Sequence, residues 1–308
     1  MAKKHNAHDS GYKKLFSNHE FLRQLLTGFV NEDWIKDIDY STIVRLDKSF
    51  VSDEFNERES DLIYKAEFNG QELYIFILLE FQSTVDRFMS LRMLHYIVEL
   101  YEDLLKNHRI KTLPAVFPVM LYNGKKRWTA PEGLSILIEN TIPAEYMPSF
   151  RYYKIAENEF DKNFLKSLKN AVAALFYIEN CSEGGLEKEI KTIMQLLKRE
   201  KPAELTQFVN WFKHMMHDKT ELVEEVKGLE EVDSMLSTIV KQMEKKAEKI
   251  GIEKGIQRGI RRGLQKGLQK GKLEGKLETA KAMVERKMSV EDIAEITGLS
   301  AAEIEKLK

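Results

Sequence analysis

Apolar positions between residues 10 and 30 recur at helical spacing: Tyr12, Leu15, Phe16, Phe21, Leu22, Leu25, Leu26 and Phe29 predict an amphipathic helix. The pattern then changes. Thr42–Val51 is rich in branched residues and predicts a strand, and Ser60–Phe68 and Glu72–Gln82 predict two more, joined by Asn69-Gly70. That dipeptide is the strongest short-range hairpin signal, because a type I′ turn needs positive φ at both central positions. Arg87–Asn107 predicts a helix with Met89, Leu91, Leu94, Ile97, Val98, Tyr101 and Leu105 inward. Pro114–Tyr122 predicts a strand ended by Asn123-Gly124, and Phe150–Ile155 a further one.

Beyond about residue 160 the pattern is helical. Phe164, Leu165, Leu168, Val172 and Leu175 mark one helix; Ile190, Ile193, Leu196 and Leu197 a second; Phe208, Trp211, Phe212 and Met215 a third, starting after Pro202. Glu221–Lys249 continues as a charged helix. Glycine then falls on every fourth position from Gly251 to Gly275, and a short helical pair closes the sequence. The expected division is an α/β core over 1–160, a helical region over 161–240, a basic glycine-repeat linker or helix over 241–278, and the helical pair over 279–308.

The turn dipeptide also sets the hairpin register. A two-residue Asn69-Gly70 loop pairs Phe68 with Gln71, which sets Asp61 opposite Leu78. Side chains on one face recur every second residue, so Asp61, Leu78, Glu80 and Gln82 share a face. Asp61 and Glu80 become diagonal neighbours, roughly 7–8 Å apart between backbones. Glu80 interrupts an otherwise apolar run, and carboxylates are rarely buried without a partner or a metal. Two carboxylates so placed can lean onto one cation, with Gln82 orienting a water beside it. The alternative is structural: Asp61 caps a strand end, and Glu80 pairs with Arg87 or Arg92.

Charge adds little globally. The 308 residues carry 48 Lys and Arg against 49 Asp and Glu, so attraction to nucleic acid must come from local patches. One such patch is the stretch from Lys241 to Lys276, with 12 basic and 4 acidic residues. A single cysteine, Cys181, excludes an internal disulfide framework and packs as a small hydrophobe. The opening residues lack a signal-peptide apolar core, and the longest apolar run, Leu73 to Phe81, is far too short to span a membrane. A soluble, cytoplasmic protein without membrane contact is expected.

Several quoted segments carry a resemblance. Asp61-Leu-Ile-Tyr-Lys, Leu79-Glu80-Phe81-Gln82-Ser83, Arg92-Met-Leu-His-Tyr96 and the opening His8-Asp9-Ser-Gly-Tyr12-Lys13-Lys14-Leu-Phe16 resemble the Rpn family of recombination-promoting nucleases, also called YhgA-like transposases, within the PD-(D/E)XK superfamily. The likeness runs along residues 8–125, with four motifs in order; the glycine repeat and the terminal Ile-Ala-Glu-Ile-Thr-Gly-Leu-Ser resemble the family as well. It implies a restriction-endonuclease-like core, a central mixed sheet flanked by helices, followed by an all-helical C-terminal region. It implies Asp61 and Glu80 as ligands of Mg2+ or Mn2+, and Gln82 where the superfamily has lysine. Glutamine can orient and hydrogen-bond but cannot supply charge, which shifts the burden onto the metal.

Around this trio stand accessory candidates. Asp9, Lys13 and Ser83 flank the site, although Asp9 reads more readily as a helix N-cap. Arg87 and Arg92 suit DNA phosphates or ion pairs with nearby acids, and Arg258, Arg261 and Arg262 of the basic patch suit phosphates. His214 and His217 lie one helical turn apart with no third ligand in view, and Gly184-Gly185 lacks the Lys-Ser/Thr of a phosphate loop. The glycine series reads as a flexible basic linker or as a helix that needs a partner, since each interior glycine costs roughly 1 kcal/mol against alanine. In the terminal pair, Ser289 with Asp292 and Ser300 with Glu303 look like N-terminal caps, but Glu303 and Glu305 suit contacts with a target or a second copy better than base reading. The expected function is a magnesium-dependent DNA endonuclease that makes breaks for recombination or transposition, working as a homo-oligomer with a dimer favoured. The alternatives are a weak or inactive DNA-binding or assembly protein on the same fold, and a coiled-coil adaptor built on the tail.

Overall fold

The computed structural model describes residues 11–46, 61–80, 84–108, 110–181, 185–216 and 220–307. The chain divides into two compact units, Met1–Gln242 and Met243–Lys308.

The first unit is α/β, as expected. After helical residues 11–16 and helix α1 (His19–Phe29) comes a five-stranded mixed sheet: β1 (Ile38–Arg45), β2 (Asp61–Phe68), β3 (Gln71–Glu80), β4 (Ala115–Tyr122) and β5 (Tyr153–Ala156). Their spatial order follows the chain. β1, β2 and β3 pair antiparallel, whereas β3, β4 and β5 pair parallel. The change of direction is made by helix α2 (Met89–His108), which carries the chain from β3 back to the start of β4.

The hairpin has the derived register: Phe68 faces Gln71 and Asp61 faces Leu78 without interruption. Asn69 at φ 51° and Gly70 at φ 73° supply the left-handed pair that a type I′ turn demands. The first strand begins at Ile38, ahead of the expected Thr42, because the short helix Asp33–Asp37 delivers the chain straight to the sheet edge. A bulge between Asp39 and Val44 then shifts its register against β2.

Helix α2 buries Met89 and Ile97 as expected but is otherwise turned from the expected face. Met89, Met93, Tyr96, Ile97, Leu100 and Leu104 are buried, while Leu91, Val98 and Leu105 are about half exposed. The helix is apolar on more than one side, so periodicity alone could not select the buried one. Its buried side packs with Ile63, Phe76, Leu78, Met120, Tyr122, Trp128 and Tyr152 over one face of the sheet.

The other sheet face carries the larger core. There α1 packs with α3 (Lys162–Leu168), α4 (Ala171–Glu179), α5 (Leu186–Leu197), α6 (Pro202–Met215) and the first turns of α7 (Leu229–Glu285). Helix α4 is buried from Ala171 to Ile178, and Phe29, Phe160, Phe164 and Phe176 form an aromatic knot at its side. Residues after Glu221 stay out of helix until Leu229. Asn210 holds both backbone groups of Val223 and Thr206 accepts from the Val226 amide, so this segment bonds to α6 instead of to itself.

In the second unit, the glycine series is helical throughout, as part of α7. A side chain built at any glycine from Gly251 to Gly275 would meet nothing within 4 Å. The terminal pair, α8 (Val290–Thr297) and α9 (Ala301–Glu305), is capped as expected: the Asp292 amide donates to Ser289, and Ser300 and Glu303 form a capping box. Ala280, Ile293, Leu299 and Ile304 make a small core there.

One polar network ties the strand ends to the helices on the larger-core face. Tyr12 donates to the Glu157 carboxylate at 2.9 Å and accepts from the Asn123 side chain at 2.7 Å. Burial, then the Glu179 carboxylate, hold the Glu157 carboxyl well above its ordinary 4.5. The folded state therefore binds this proton more tightly than the unfolded chain. The resulting stability is present below pH 4.5 and lost as pH rises through the folded value. Glu157→Gln should accordingly melt above the parent at pH 7, with the gap closing as the pH falls towards 4.5; a pH series of thermal melts reads this directly.

Candidate active site

The C-terminal ends of β3, β4 and β5 lie side by side, because parallel strands finish at the same edge of the sheet. Glu80 is the last described residue of β3 and pairs in register with Tyr122 of β4. Its backbone carbonyl accepts from the Asn123 amide at 3.1 Å, which extends the pairing one step past the strand. Glu80 is only 5% exposed, on a strand whose other residues from Leu73 onward are all aliphatic or aromatic and buried.

A buried carboxylate needs compensation. Arg92, from the first turns of α2, hydrogen-bonds Glu80 and lies 3.3 Å from the Asp86 carboxylate. Helix α2 thus supplies a counter-charge to the strand it packs against. Of the structural alternatives for Glu80, the pairing with Arg92 is the one present; Arg87 sits exposed on the turn before the helix. Beside them, burial and then the Glu80 carboxylate push the Tyr122 phenol up.

Backbone register sets the Asp61 and Glu80 positions on the same sheet face as diagonal neighbours, with Leu78 directly opposite Asp61. Two carboxylate positions are the oxygen chemistry that magnesium takes, since it is held by one or two carboxylates and keeps several waters. The donor set therefore fits such an ion, on condition that Arg92 yields its hold on Glu80. Among the described residues no group of three or more His, Cys, Asp or Glu converges on a point. Gln82, Ser83 and Asp9 lie outside the described residues, as does His217. Lys13 lies in the helical residues 11–16, next to Tyr12, which bonds Asn123 and Glu157 just past the ends of β4 and β5. Arg258, Arg261 and Arg262 are exposed on α7 in the second unit.

Sequence reasoning missed Tyr122, Asp86 and the Tyr12–Asn123–Glu157 chain. Tyr122 comes beside Glu80 through the parallel register of β3 and β4, which no local pattern in the sequence gives. A cleft of about 250 Å³ on the first unit lies elsewhere, between residues 11–15 and α6, and is lined by Lys14, Trp211 and His214.

The first unit is thus a five-stranded mixed sheet with a buried carboxylate at the end of β3, where the parallel strands finish, and one long helix packed beside it. The chain belongs to the family described as "Putative transposase, YhgA-like", which matches residues 6–208. It is 28% identical over 126 residues to Recombination-promoting nuclease RpnA of Escherichia coli K12, covering 40% of this chain and 43% of that protein. It is 26% identical over 119 residues to Recombination-promoting nuclease RpnC of the same strain, covering 38% and 39%, and 22% identical over 119 residues to Recombination-promoting nuclease RpnD of Escherichia coli O157:H7, covering 39% and 46%. The matches thus span less than half the length of these relatives. No solved structure matches the chain significantly. Among the described residues no helix is long and apolar enough to cross a membrane.

Removing the Arg92 charge tests the electrostatics of the site. Arg92→Met should lower stability at pH 7 by about 1–2 kcal/mol, the cost of withdrawing one partner from a buried carboxylate. The urea midpoint at constant slope reports it, and an unmoved midpoint would mean that the other contacts of Glu80 suffice.

Proposed function

We propose that this protein is a divalent-metal DNA endonuclease whose breaks feed recombination. The observation that carries the reading is Glu80: a buried carboxylate at the end of β3, diagonal to the Asp61 position, where the fold offers hard oxygen ligands. The names of the curated relatives support the choice of nucleic acid as substrate. In this reading Asp61 and Glu80 hold Mg2+ or Mn2+. The ion supplies neutralisation of phosphate charge and acidification of water when bound. Gln82 orients by hydrogen bonding and Arg92 leaves Glu80 to take a phosphate oxygen.

The Glu80–Arg92 pair also favours a second reading, in which the carboxylate is kept as one half of a structural ion pair and the protein binds DNA without cutting it. A plasmid-nicking assay separates them. With Mg2+, supercoiled DNA should be converted to open circles, EDTA should stop the conversion, and Asp61→Asn or Glu80→Gln should slow it by two orders of magnitude or more without loss of fold. Nicking that survives both substitutions sinks the first reading.

The tail contributes affinity here. Five successive repeat units end in a base, Lys254, Arg258, Arg262, Lys266 and Lys270, and Ile252, Ile256, Ile260, Leu264 and Leu268 form an exposed apolar row suited to a second copy in a dimer. Replacing Arg258, Arg261 and Arg262 by Gln should flatten the dependence of log K on log salt by about 0.9 for each phosphate that is no longer neutralised. Fluorescence anisotropy at several salt concentrations measures that slope, which stays unchanged if the tail does not touch DNA.

A further inference from the structure

Tyr122 is fully buried at the end of β4, in register with Glu80 of β3. Residues paired across neighbouring strands share a face and stand about 4.8 Å apart along the sheet. The phenol ring packs on Trp128, centroids 4.8 Å apart, in the core beneath α2. By strict geometry its hydroxyl has no hydrogen-bond partner among the described residues, and the Lys126 backbone offers it only a loose one.

That is an unfavourable arrangement for folding alone. A buried hydroxyl without a partner forfeits its bonds to water, and phenylalanine would fill the same space without that cost. The surroundings also preserve room for the hydroxyl. Gly124 packs so tightly on it that a Cβ there would come within 2.0 Å of the phenol oxygen, so no other residue fits while the tyrosine stays. The one carboxylate that acts on the phenol from the neighbouring strand is Glu80, held in this structure by Arg92.

We propose that Tyr122 is a positioning residue for Glu80: its hydroxyl donates to the Glu80 carboxylate when Arg92 releases that group to a divalent cation. Carboxylate ligands are ordinarily fixed by a hydrogen bond to the oxygen that does not face the metal, and Tyr122 is the donor that the neighbouring strand brings to that place. Arg92 and Tyr122 then hold one carboxylate in two states, with the arginine dominant in the metal-free site and the phenol in the loaded one. This rests on Glu80 being a metal ligand, and the test keeps the two ideas apart.

Mn2+ binding by the full chain is measured calorimetrically, together with the metal-free melting temperature, for the parent, Tyr122→Phe, Glu80→Gln and the double variant. Tyr122→Phe should weaken Mn2+ binding about ten-fold, in the range typical of outer-shell partners, while melting at the same temperature or higher. The double variant should bind no more weakly than Glu80→Gln alone, because the hydroxyl acts through Glu80. Unchanged binding in Tyr122→Phe, with binding lost in Glu80→Gln, overturns the role of Tyr122 and leaves the metal site standing. Unchanged binding in Glu80→Gln overturns the metal site and this inference with it. A clear fall in the melting temperature of metal-free Tyr122→Phe would show that the hydroxyl serves folding, and would likewise overturn the proposal.

Discussion

A tight turn at Asn69-Gly70 governs the geometry of the whole candidate site. With both residues at positive φ the turn admits one register, and that register runs unbroken to Asp61 and Leu78. A slip of one residue would send every side chain of β3 to the opposite face, exchanging Glu80 with its apolar neighbours and moving a carboxylate into the larger core. β3 is also the strand at which pairing changes from antiparallel to parallel. The two residues of the turn thus fix where a charge enters the sheet, and β4, β5 and α2 are arranged around that entry point.

Around Glu80 the fold solves an electrostatic problem with a helix. The carboxylate lies within an apolar strand, and the first turns of α2 bring Arg92 to it while Asp86 holds the far side of the same guanidinium. Such a pair gains little net stability over an apolar substitute, because both charges lose their water. What it provides is a carboxylate held in one place by a guanidinium. On the reverse face of the sheet, Tyr12, Asn123 and Glu157 fasten the same strand ends to the helical residues 11–16, and there burial raises the Glu157 carboxyl well above its ordinary value.

Much of this was legible in the residues. The hairpin, its register and the shared face of Asp61 and Glu80 follow from a dipeptide and a period of two. The terminal caps follow from Ser289 and Ser300. A period near 3.6 gives the helices after residue 160 in part: the one helix expected from Phe164 to Leu175 is two, α3 and α4, because Lys169 at φ 50° ends the first and Asn170 caps the second. Other features resisted because they depend on partners distant in sequence. Leu91, Val98 and Leu105 look as buried as Met93 and Leu100 until the sheet chooses a side of α2. Residues 221–228 look helical until Asn210 and Thr206 claim their backbone groups. Tyr122 becomes part of the candidate site only once β3 and β4 are known to run parallel, which no local pattern announces.

The glycine series has a consequence for how this tail can vary in length. Its unit of four residues advances a helix by about 6 Å and turns it by about 400°, a net rotation of only about 40°. Losing or gaining one unit would therefore shift α8 and α9 along the axis by little more than one turn while nearly keeping their azimuth. Because side chains added at these glycines would touch nothing in the chain, a change in unit number breaks no packing. The repeat behaves as a vernier: its length can drift in small steps, each one a modest change in reach and phase, with the terminal helical pair and its core carried along intact.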